Sequence, residues 1–185
     1  MSLKVAVVVG SLRKGSFSRS IAVAMQELAQ GKLDFAFAEI GDLPLYNQDL
    51  ETDSPPAPWA RFRSEIAAAD AVLFVTPEYN RSVPGCLKNA IDVGSRPWGK
   101  SVFSRKPAAI VSIAPGLLGG FGANHGLRQS MVFLDMPLLQ QPEAYISKVG
   151  ELLDSDGKVN SESTKQFLQA FVDRFADWSE ITKAA

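Results

Sequence analysis

An apolar run leads directly into a polar turn near the start of this chain. Residues 3–9 are almost all valine, leucine or alanine, and residues 10–20 read GSLRKGSFSRS. A continuous apolar run of this length is typical of a strand buried on both faces, as in a parallel sheet. Parallel strands need a crossover connection, usually a helix, between them. The opening residues therefore favour an α/β fold whose first helix follows the polar turn.

Further strand-like runs alternate with helix-like segments along the chain. We predict strands over residues 3–10, 33–40, 71–76, 108–113 and 136–140. We predict helices over residues 16–29, 58–69, 84–93, 124–134 and 161–178, with a long loop over residues 41–56. Buried strands that alternate with helices predict a doubly wound parallel sheet with helices on both faces. With 185 residues, we expect residues 1–185 to form one domain.

Composition and charge exclude several classes of partner. The net charge is −1, which leaves no basic field for nucleic acid or anionic lipid. No apolar run approaches the roughly 20 residues of a membrane span, and we find no signal-peptide pattern. The sequence has a single cysteine, Cys86, so no intramolecular disulfide is possible, which fits a cytoplasmic protein. No cluster of histidine and cysteine suggests a metal site.

The turn after the first strand has the composition of a phosphate site. Ser11, Arg13, Ser16 and Ser18 offer hydroxyls and a guanidinium beside the free N–H groups of a helix start. The spacing is neither that of a P-loop nor GxGxxG, so we expect a phosphate from something other than ATP or NAD. Serine and glycine also precede helices simply as caps, and that alternative stays open.

Two other loops follow predicted strands. Residues 76–85 read TPEYNRSVPG, and their two prolines stiffen a backbone that is suited to the rim of a flat heteroaromatic ring. Residues 114–123 read APGLLGGFGA, and their glycines let the backbone lie close to a planar ligand. In a doubly wound sheet these loops lie at the edge where ligands bind. Each is also readable as an ordinary turn or a flexible loop.

Several motifs together resemble the NADPH-dependent FMN reductase family, which has a flavodoxin-like fold. The matching segments are residues 10–18, 76–85 and 87–92, with residues 127–129 and 132–135 further along. This family includes bacterial quinone and chromate reductases and azoreductase-like relatives. The resemblance implies a flavodoxin-like α/β fold with a five-stranded sheet in the order 2-1-3-4-5. It also implies a noncovalently bound FMN.

The resemblance implies a set of flavin contacts in this chain. The residues expected to hold the phosphate are Ser11, Arg13, Ser16, Phe17 and Ser18. Those expected to flank the isoalloxazine are Pro77, Glu78, Tyr79, Asn80 and Arg81. Ala114 and Gly116 are expected to approach from the other side through backbone donors. The family often has a serine where Ala114 stands, with Ser112 two residues earlier, and an aromatic residue where Arg81 stands.

The implied activity is reduction of a small-molecule oxidant by NADPH or NADH through FMN in a ping-pong cycle. Quinones, azo or nitro compounds, free flavin and chromate are the expected acceptors, and no side chain is expected to be catalytic because flavin N5 carries the hydride. The resemblance also implies a homodimer or homotetramer. The open alternatives are an electron carrier or flavin-binding sensor without NAD(P)H turnover. A hydrolase built on His125 lacks the GxSxG elbow.

Overall fold

The computed structural model describes residues 2–183, which contain one parallel sheet. The strands are β1 Leu3–Val9, β2 Leu33–Ala38, β3 Ala71–Pro77, β4 Ala108–Ile113 and β5 Ala144–Ile146. The helices are α1 Phe17–Leu28, α2 Ala57–Ala67, α3 Gly85–Gly94, α4 Phe121–Phe133 and α5 Glu162–Lys183. The strand order is β2-β1-β3-β4-β5, and every neighbouring pair is parallel. The predicted flavodoxin-like sheet and its order are confirmed.

Alternate residues of each strand face two separate apolar layers. In β1, Val5 and Val7 belong to the layer covered by α1 and α5. Ala6 and Val8 belong to the layer covered by α2, α3 and α4. Successive side chains of a strand point to opposite faces, so an unbroken apolar run fills both layers. The helices on both faces follow from this pattern, as predicted.

The fifth strand lies further along the chain than residues 136–140, where we predicted it. β5 pairs with residues 111–113 of β4. The predicted segment contacts β4 at one bridge, between Leu138 and Ala108. Pro137 and Pro142 have no N–H to donate to a ladder, so pairing is interrupted between these two short stretches. The prediction found the right edge of the sheet but the wrong residues.

Two helices differ in length from their predictions. α4 begins at Phe121 rather than at residue 124, and α5 continues to Lys183 rather than ending at residue 178. The end of α5 is anchored: the Trp178 Nε1–H donates to the Pro137 carbonyl at 3.0 Å, and the Lys183 ammonium lies 2.6 Å from Asp70. Such tertiary contacts extend a helix beyond the apolar stripe that the sequence shows.

Residues 41–56, predicted as a loop, are held firmly against α2 and α3. The Asn89 side chain accepts from the Tyr46 N–H at 2.8 Å and donates to the Leu43 and Pro44 carbonyls, each at 3.2 Å. The Tyr46 ring stacks on Trp59, with ring centroids 5.4 Å apart. One buried amide therefore satisfies backbone groups that the loop cannot pair within itself.

We predict that Asn89→Ala lowers the free energy of unfolding by about 2 kcal/mol, because buried backbone groups of the loop lose their partner. The measurement is urea denaturation. Lys88→Ala is the matched control, since Lys88 forms an exposed pair with Asp92 on the same helix. That control should change stability by less than about 0.5 kcal/mol. Equal effects of the two substitutions would contradict this role of Asn89.

Candidate functional site

Three loops meet at one edge of the sheet because their strands are parallel neighbours. Val9 at the end of β1 pairs with Val75, and Thr76 near the end of β3 pairs with Ser112. The loops after β1, β3 and β4 therefore leave the sheet side by side. The strand order reverses between β1 and β3, which is where doubly wound sheets bind their ligands. This arrangement confirms the predicted common edge.

Gly10 brings the first loop directly against β3. Its N–H donates to the Val75 carbonyl at 2.9 Å. A Cβ at this position would lie 2.5 Å from Thr76 Oγ1 and 3.0 Å from Leu87 Cδ2, so a side chain does not fit. Thr76 is buried and donates its hydroxyl to the Pro77 carbonyl at 2.8 Å. The first and second loops thus start from one packed base.

The first loop ends at the N-terminus of α1. Ser16 is the N-cap, and its Oγ accepts from the Arg19 N–H at 3.2 Å. The N–H groups of Phe17 and Ser18 have no intrahelical acceptor, because they lie in the first turn. These groups and the helix dipole create a positive potential at the sheet edge. Serine at residue 16 is therefore a cap, and the helix start beside it is suited to an anion.

The same loop holds polar groups that the protein itself leaves available. Ser18 is only 1% exposed, and no hydrogen bond joins its hydroxyl to another residue from 2 to 183; since no fully buried side-chain polar atom in that range lacks a partner, this hydroxyl is the accessible part of the residue. Arg13 is exposed, pairs with no carboxylate within that range, and lies with its guanidinium carbon 5.8 Å from the Phe17 ring centroid. An accessible, unpaired hydroxyl in the first turn of a helix can donate to an anion bound there. Ser11, partly buried, is at the mouth of the same turn.

The second loop contains a tight two-residue turn. Tyr79 and Ser82 exchange backbone hydrogen bonds of 3.1 and 2.9 Å. Asn80 and Arg81 between them have φ angles of 52° and 62°, the left-handed conformation that this type of turn demands. Asparagine tolerates that conformation more readily than arginine does. The turn projects the Tyr79 side chain, which is 46% exposed, at the edge of the site.

The Glu78 side chain joins the second loop to α4. Its Oε2 accepts from the Ala123 N–H at 3.1 Å, and its Oε1 accepts from Arg81 Nη1 at 3.1 Å. The side chain is only 9% exposed. The N-cap of α4 is Gly120, which has no side chain to offer, so Glu78 caps this helix from another loop. Both carboxylate oxygens thus hold protein donors, while the adjoining backbone continues along the site.

The third loop is anchored to β5 and to a buried serine. The Ala114 N–H donates to the Ile146 carbonyl at 3.0 Å, so this predicted donor is already used within the sheet. Gly116 is exposed, and nothing lies within 4 Å of a Cβ built on it. Ser112 Oγ donates to the Gly119 carbonyl at 2.8 Å. Of the two predicted backbone donors, only the N–H of Gly116 makes no hydrogen bond to another residue from 2 to 183.

A buried amide supports this edge, and sequence reasoning missed it. Asn124 is fully buried and donates from Nδ2 to Ser112 Oγ at 3.2 Å, while its Oδ1 accepts from Arg128 Nε at 2.9 Å. The signal available in the sequence was Asn and Arg four residues apart on one helix. These contacts hold α4 against the end of β4.

His125 belongs to an aromatic cluster rather than to a catalytic triad. Its Nε2 lies 3.0 Å from the Tyr145 hydroxyl, and its ring centroid lies 4.2 Å from that of Phe121. Burial and the nearby Glu143 raise the pKa of Tyr145 to about 12. Burial also raises the pKa of the Cys86 thiol, which disfavours the nucleophilic thiolate. Neither Tyr145 nor Cys86 thus has the lowered pKa of an activated nucleophile.

A cavity of about 760 Å³ lies beside α1, between that helix, α5 and residues 153–159. It shares Lys14, Gly15, Ser16 and Phe17 with the first loop and the start of α1 but takes no residue from the second or third loop. Because it misses the edge where the three loops meet, we do not assign the site to it. Within residues 2–183 no group of three or more His, Cys, Asp or Glu side chains is arranged to hold a metal ion.

The comparisons with known proteins identify the family. A family model described as NADPH-dependent FMN reductase matches residues 3–151. The chain belongs to this family. It is 63% identical to a quinone reductase of Pseudomonas putida over 97% of this chain and 96% of that protein. It is 48% identical to a 2-hydroxy-1,4-benzoquinone reductase of a Burkholderia species, over 96% and 97% of the two chains.

A solved flavoenzyme has the same fold. The structure of FerB, an NAD(P)H:(acceptor) oxidoreductase from Paracoccus denitrificans, superposes with a TM-score of 0.90 at 45% identity, over 96% of this chain and 97% of that one. The family, the fold and the class of enzyme that the sequence motifs implied are confirmed. As an FMN reductase family member the chain is an oxidoreductase that uses FMN and NAD(P)H.

The residues present fit an FMN phosphate. Three features of the first loop support this fit: an accessible Ser18 hydroxyl without a partner among residues 2–183, two free N–H groups at a helix start, and an Arg13 guanidinium without a carboxylate in the same range. A phosphate monoester supplies acceptors for all of them. Ser18, Arg13 and the first turn of α1 are therefore the groups that would hold it.

We predict that Ser18→Ala weakens FMN binding by roughly tenfold or more, because a hydrogen bond to a charged group is lost. The measurement is fluorescence titration of the flavin-free protein with FMN. The control is Ser20→Ala, one position beyond the capped turn on the side of the 760 Å³ cavity. That variant should bind FMN as the wild type does. Equal losses in both variants would argue against a specific role of Ser18.

Proposed function

We propose that this protein is an NAD(P)H-dependent reductase that holds FMN between the three loops and reduces quinones. The observation that carries the proposal is the set of hydrogen-bond donors without acceptors at the first turn of α1. These donors lie beside the two other loops, at the edge of the sheet where the strand order reverses between β1 and β3. Family membership supplies the cofactor chemistry. We assign the activity to one flavodoxin-like domain over residues 1–185.

The proposed contacts divide between the ends of the flavin. At the phosphate we place Ser11, Arg13, Ser16, Phe17 and Ser18. Along the ring we place Pro77, Glu78, Tyr79, Asn80 and Arg81, with Ala114 and Gly116 opposite. Ser16 Oγ accepts from the Arg19 N–H, which leaves its O–H free to donate, whereas the bonded N–H of Ala114 leaves packing contacts at that residue. The Glu78 contribution is by the same reasoning that of its backbone.

In the proposed mechanism the protein binds and orients while the cofactor reacts. A bound FMN would supply the redox chemistry, with NAD(P)H as hydride donor and the oxidant as electron acceptor. Arg13 and the α1 N-terminus neutralise the phosphate and fix one end of the site. The anchored second and third loops hold the walls, so that a nicotinamide and then a quinone stack in the same gap. Solvent supplies the protons, and the proposal assigns no side chain as a general base.

The acceptor range follows from a gap that recognises flat shape rather than particular groups. Quinones are the acceptors that the relatives' names support. We extend the proposal to azo and nitro compounds, free flavin and chromate, with either NADPH or NADH as the reductant. The rival proposal is a flavodoxin-like electron carrier or flavin sensor. The net charge of −1 disfavours the carrier, because flavodoxins are typically strongly acidic.

The deciding experiment follows the flavin spectrum of the purified protein without oxygen. We expect NADPH to bleach the flavin absorbance and a benzoquinone to restore it. Bound flavin that NADPH cannot bleach would favour the carrier or the sensor. A protein that takes up no added FMN would contradict the proposed function altogether.

We predict that Arg13→Ala weakens FMN binding by roughly 10²-fold, because paired charge-assisted hydrogen bonds to a phosphate are lost. Its turnover per bound FMN should stay close to wild type. Lys14→Ala removes the same unit of charge from the same loop and should weaken binding far less. Normal FMN affinity with lost turnover in Arg13→Ala would contradict the assignment of Arg13 to the phosphate.

We further propose that the protein is a homodimer or homotetramer in the cytoplasm. Three large apolar side chains lie exposed at the ends of α3 and α4: Trp98 at 76%, Val132 at 77% and Phe133 at 68%. Exposed apolar clusters of this kind mark interfaces. The single cysteine fits a reducing compartment. No helix within residues 2–183 has the length and hydropathy of a membrane span.

The oligomer is tested by light scattering after size-exclusion chromatography. Phe133→Ser should shift the assembly toward smaller species, because it removes apolar area from the exposed cluster. Ile181→Ser is the control: Ile181 is also an exposed apolar side chain, at 62%, but it lies on α5, which covers the opposite face of the sheet. A monomeric wild type would contradict this part of the proposal.

A further inference from the structure

Glu78 and Gly122 form a direct connection between the loops on the two sides of the proposed flavin ring. The Glu78 carboxylate receives the Ala123 N–H in the first turn of α4 and the Arg81 guanidinium in its own loop. A Cβ on Gly122 would lie 2.7 Å from the Arg81 carbonyl oxygen and 3.0 Å from Glu78 Oε2. The two backbones therefore approach as closely as a glycine permits.

This contact is built into the site rather than incidental. Glu78 is 9% exposed, so its charge is desolvated and depends on the donors that it receives. The turn that follows has two consecutive residues with positive φ, and the Arg81–Glu78 pair closes that turn from the side. Without a cap from Gly120, the start of α4 relies on Glu78. Removing the carboxylate thus affects both loops at once.

We propose that Glu78 is a positioning residue, which clamps the loop after β3 to the first turn of α4 and so sets the width of the gap for the flavin ring. This assignment rests on the proposed function. The clamp acts on the ring side of the site, because Glu78 and Gly122 belong to the second and third loops, whereas Arg13 and Ser18 belong to the first. The close approach at Gly122 makes that residue part of the same device.

The location of the clamp gives it a distinct signature. A residue that acts on the ring affects FMN and riboflavin equally, since the two differ only in the phosphate. A residue that acts on the phosphate affects FMN alone. Glu78→Ala and Gly122→Ala should therefore lower the affinity for FMN and the affinity for riboflavin by the same factor, roughly tenfold. Arg13→Ala should lower the affinity for FMN only.

The experiment titrates flavin-free wild-type and variant proteins with FMN and with riboflavin. Gly126→Ala is the matched control on the same helix, because a Cβ there would meet only Val83 Cγ2, at an ordinary 3.6 Å. It should bind both flavins as the wild type does. Glu78→Gln keeps an acceptor for the Ala123 N–H, so it should recover most of the affinity. The double variant Glu78→Ala with Gly122→Ala should bind flavin as tightly as whichever single variant has the lower affinity, because both substitutions disturb one contact.

Two further readouts separate positioning from loss of stability. Hydrogen exchange of the flavin-free protein should show the Ala123 amide exchanging roughly tenfold faster in Glu78→Ala, with little change in the core strands. With FMN saturating, the rate of flavin reduction should fall by up to roughly 10²-fold, as expected for misplaced reactants.

Wild-type affinity for both flavins in Glu78→Ala and Gly122→Ala would overturn the clamp while leaving the proposed function intact. A loss confined to FMN would also overturn it, because Glu78 would then act through the phosphate. A wild-type protein that binds neither flavin would instead overturn the proposed function and this assignment with it.

Discussion

The parallel pairing of β1 with β3 is the constraint on which the rest of the site depends. It places the end of β1 beside the end of β3, with Val9 opposite Val75. Because Gly10 has no side chain, the first loop crosses directly against Thr76. The N-terminus of α1 and the turn after β3 therefore lie next to each other, and only short loops connect them to the sheet. The apolar run of residues 3–9, buried between two helical layers, holds this pair of strands in place.

Each loop at this edge has its own buried anchor. Ser16 caps α1, Glu78 caps α4 from the neighbouring loop, and Ser112 receives the Asn124 amide while it donates to Gly119. These anchors satisfy backbone and side-chain groups that would otherwise be buried without partners. The donors left over are concentrated at the first turn of α1. A rigid site with unpaired hydrogen-bond donors at one end is suited to an enzyme whose cofactor performs the chemistry.

The sequence was sufficient for the layers of the fold and for the helix start that follows the first loop, because both depend on local patterns. Buried strands, helix periodicity and the capping serine are all visible within short windows. The fifth strand was misplaced because Ala144–Ile146 is too short for any periodicity, and its register is set by β4 rather than by its own residues. The capping role of Glu78 joins residues 45 positions apart, so no local pattern reveals it. Asn124 was missed for the same reason, because the Ser112 hydroxyl that accepts its hydrogen bond lies on β4, outside any local pattern.

The central claim is that the first loop recognises the phosphate of FMN and that this contact carries much of the binding. Calorimetric titration of the flavin-free wild-type protein with FMN and with riboflavin tests it most directly. We expect FMN to bind at least about 100-fold more tightly, since only FMN has the phosphate that we propose Arg13, Ser18 and the first turn of α1 hold. Equal affinity for the two flavins would contradict it.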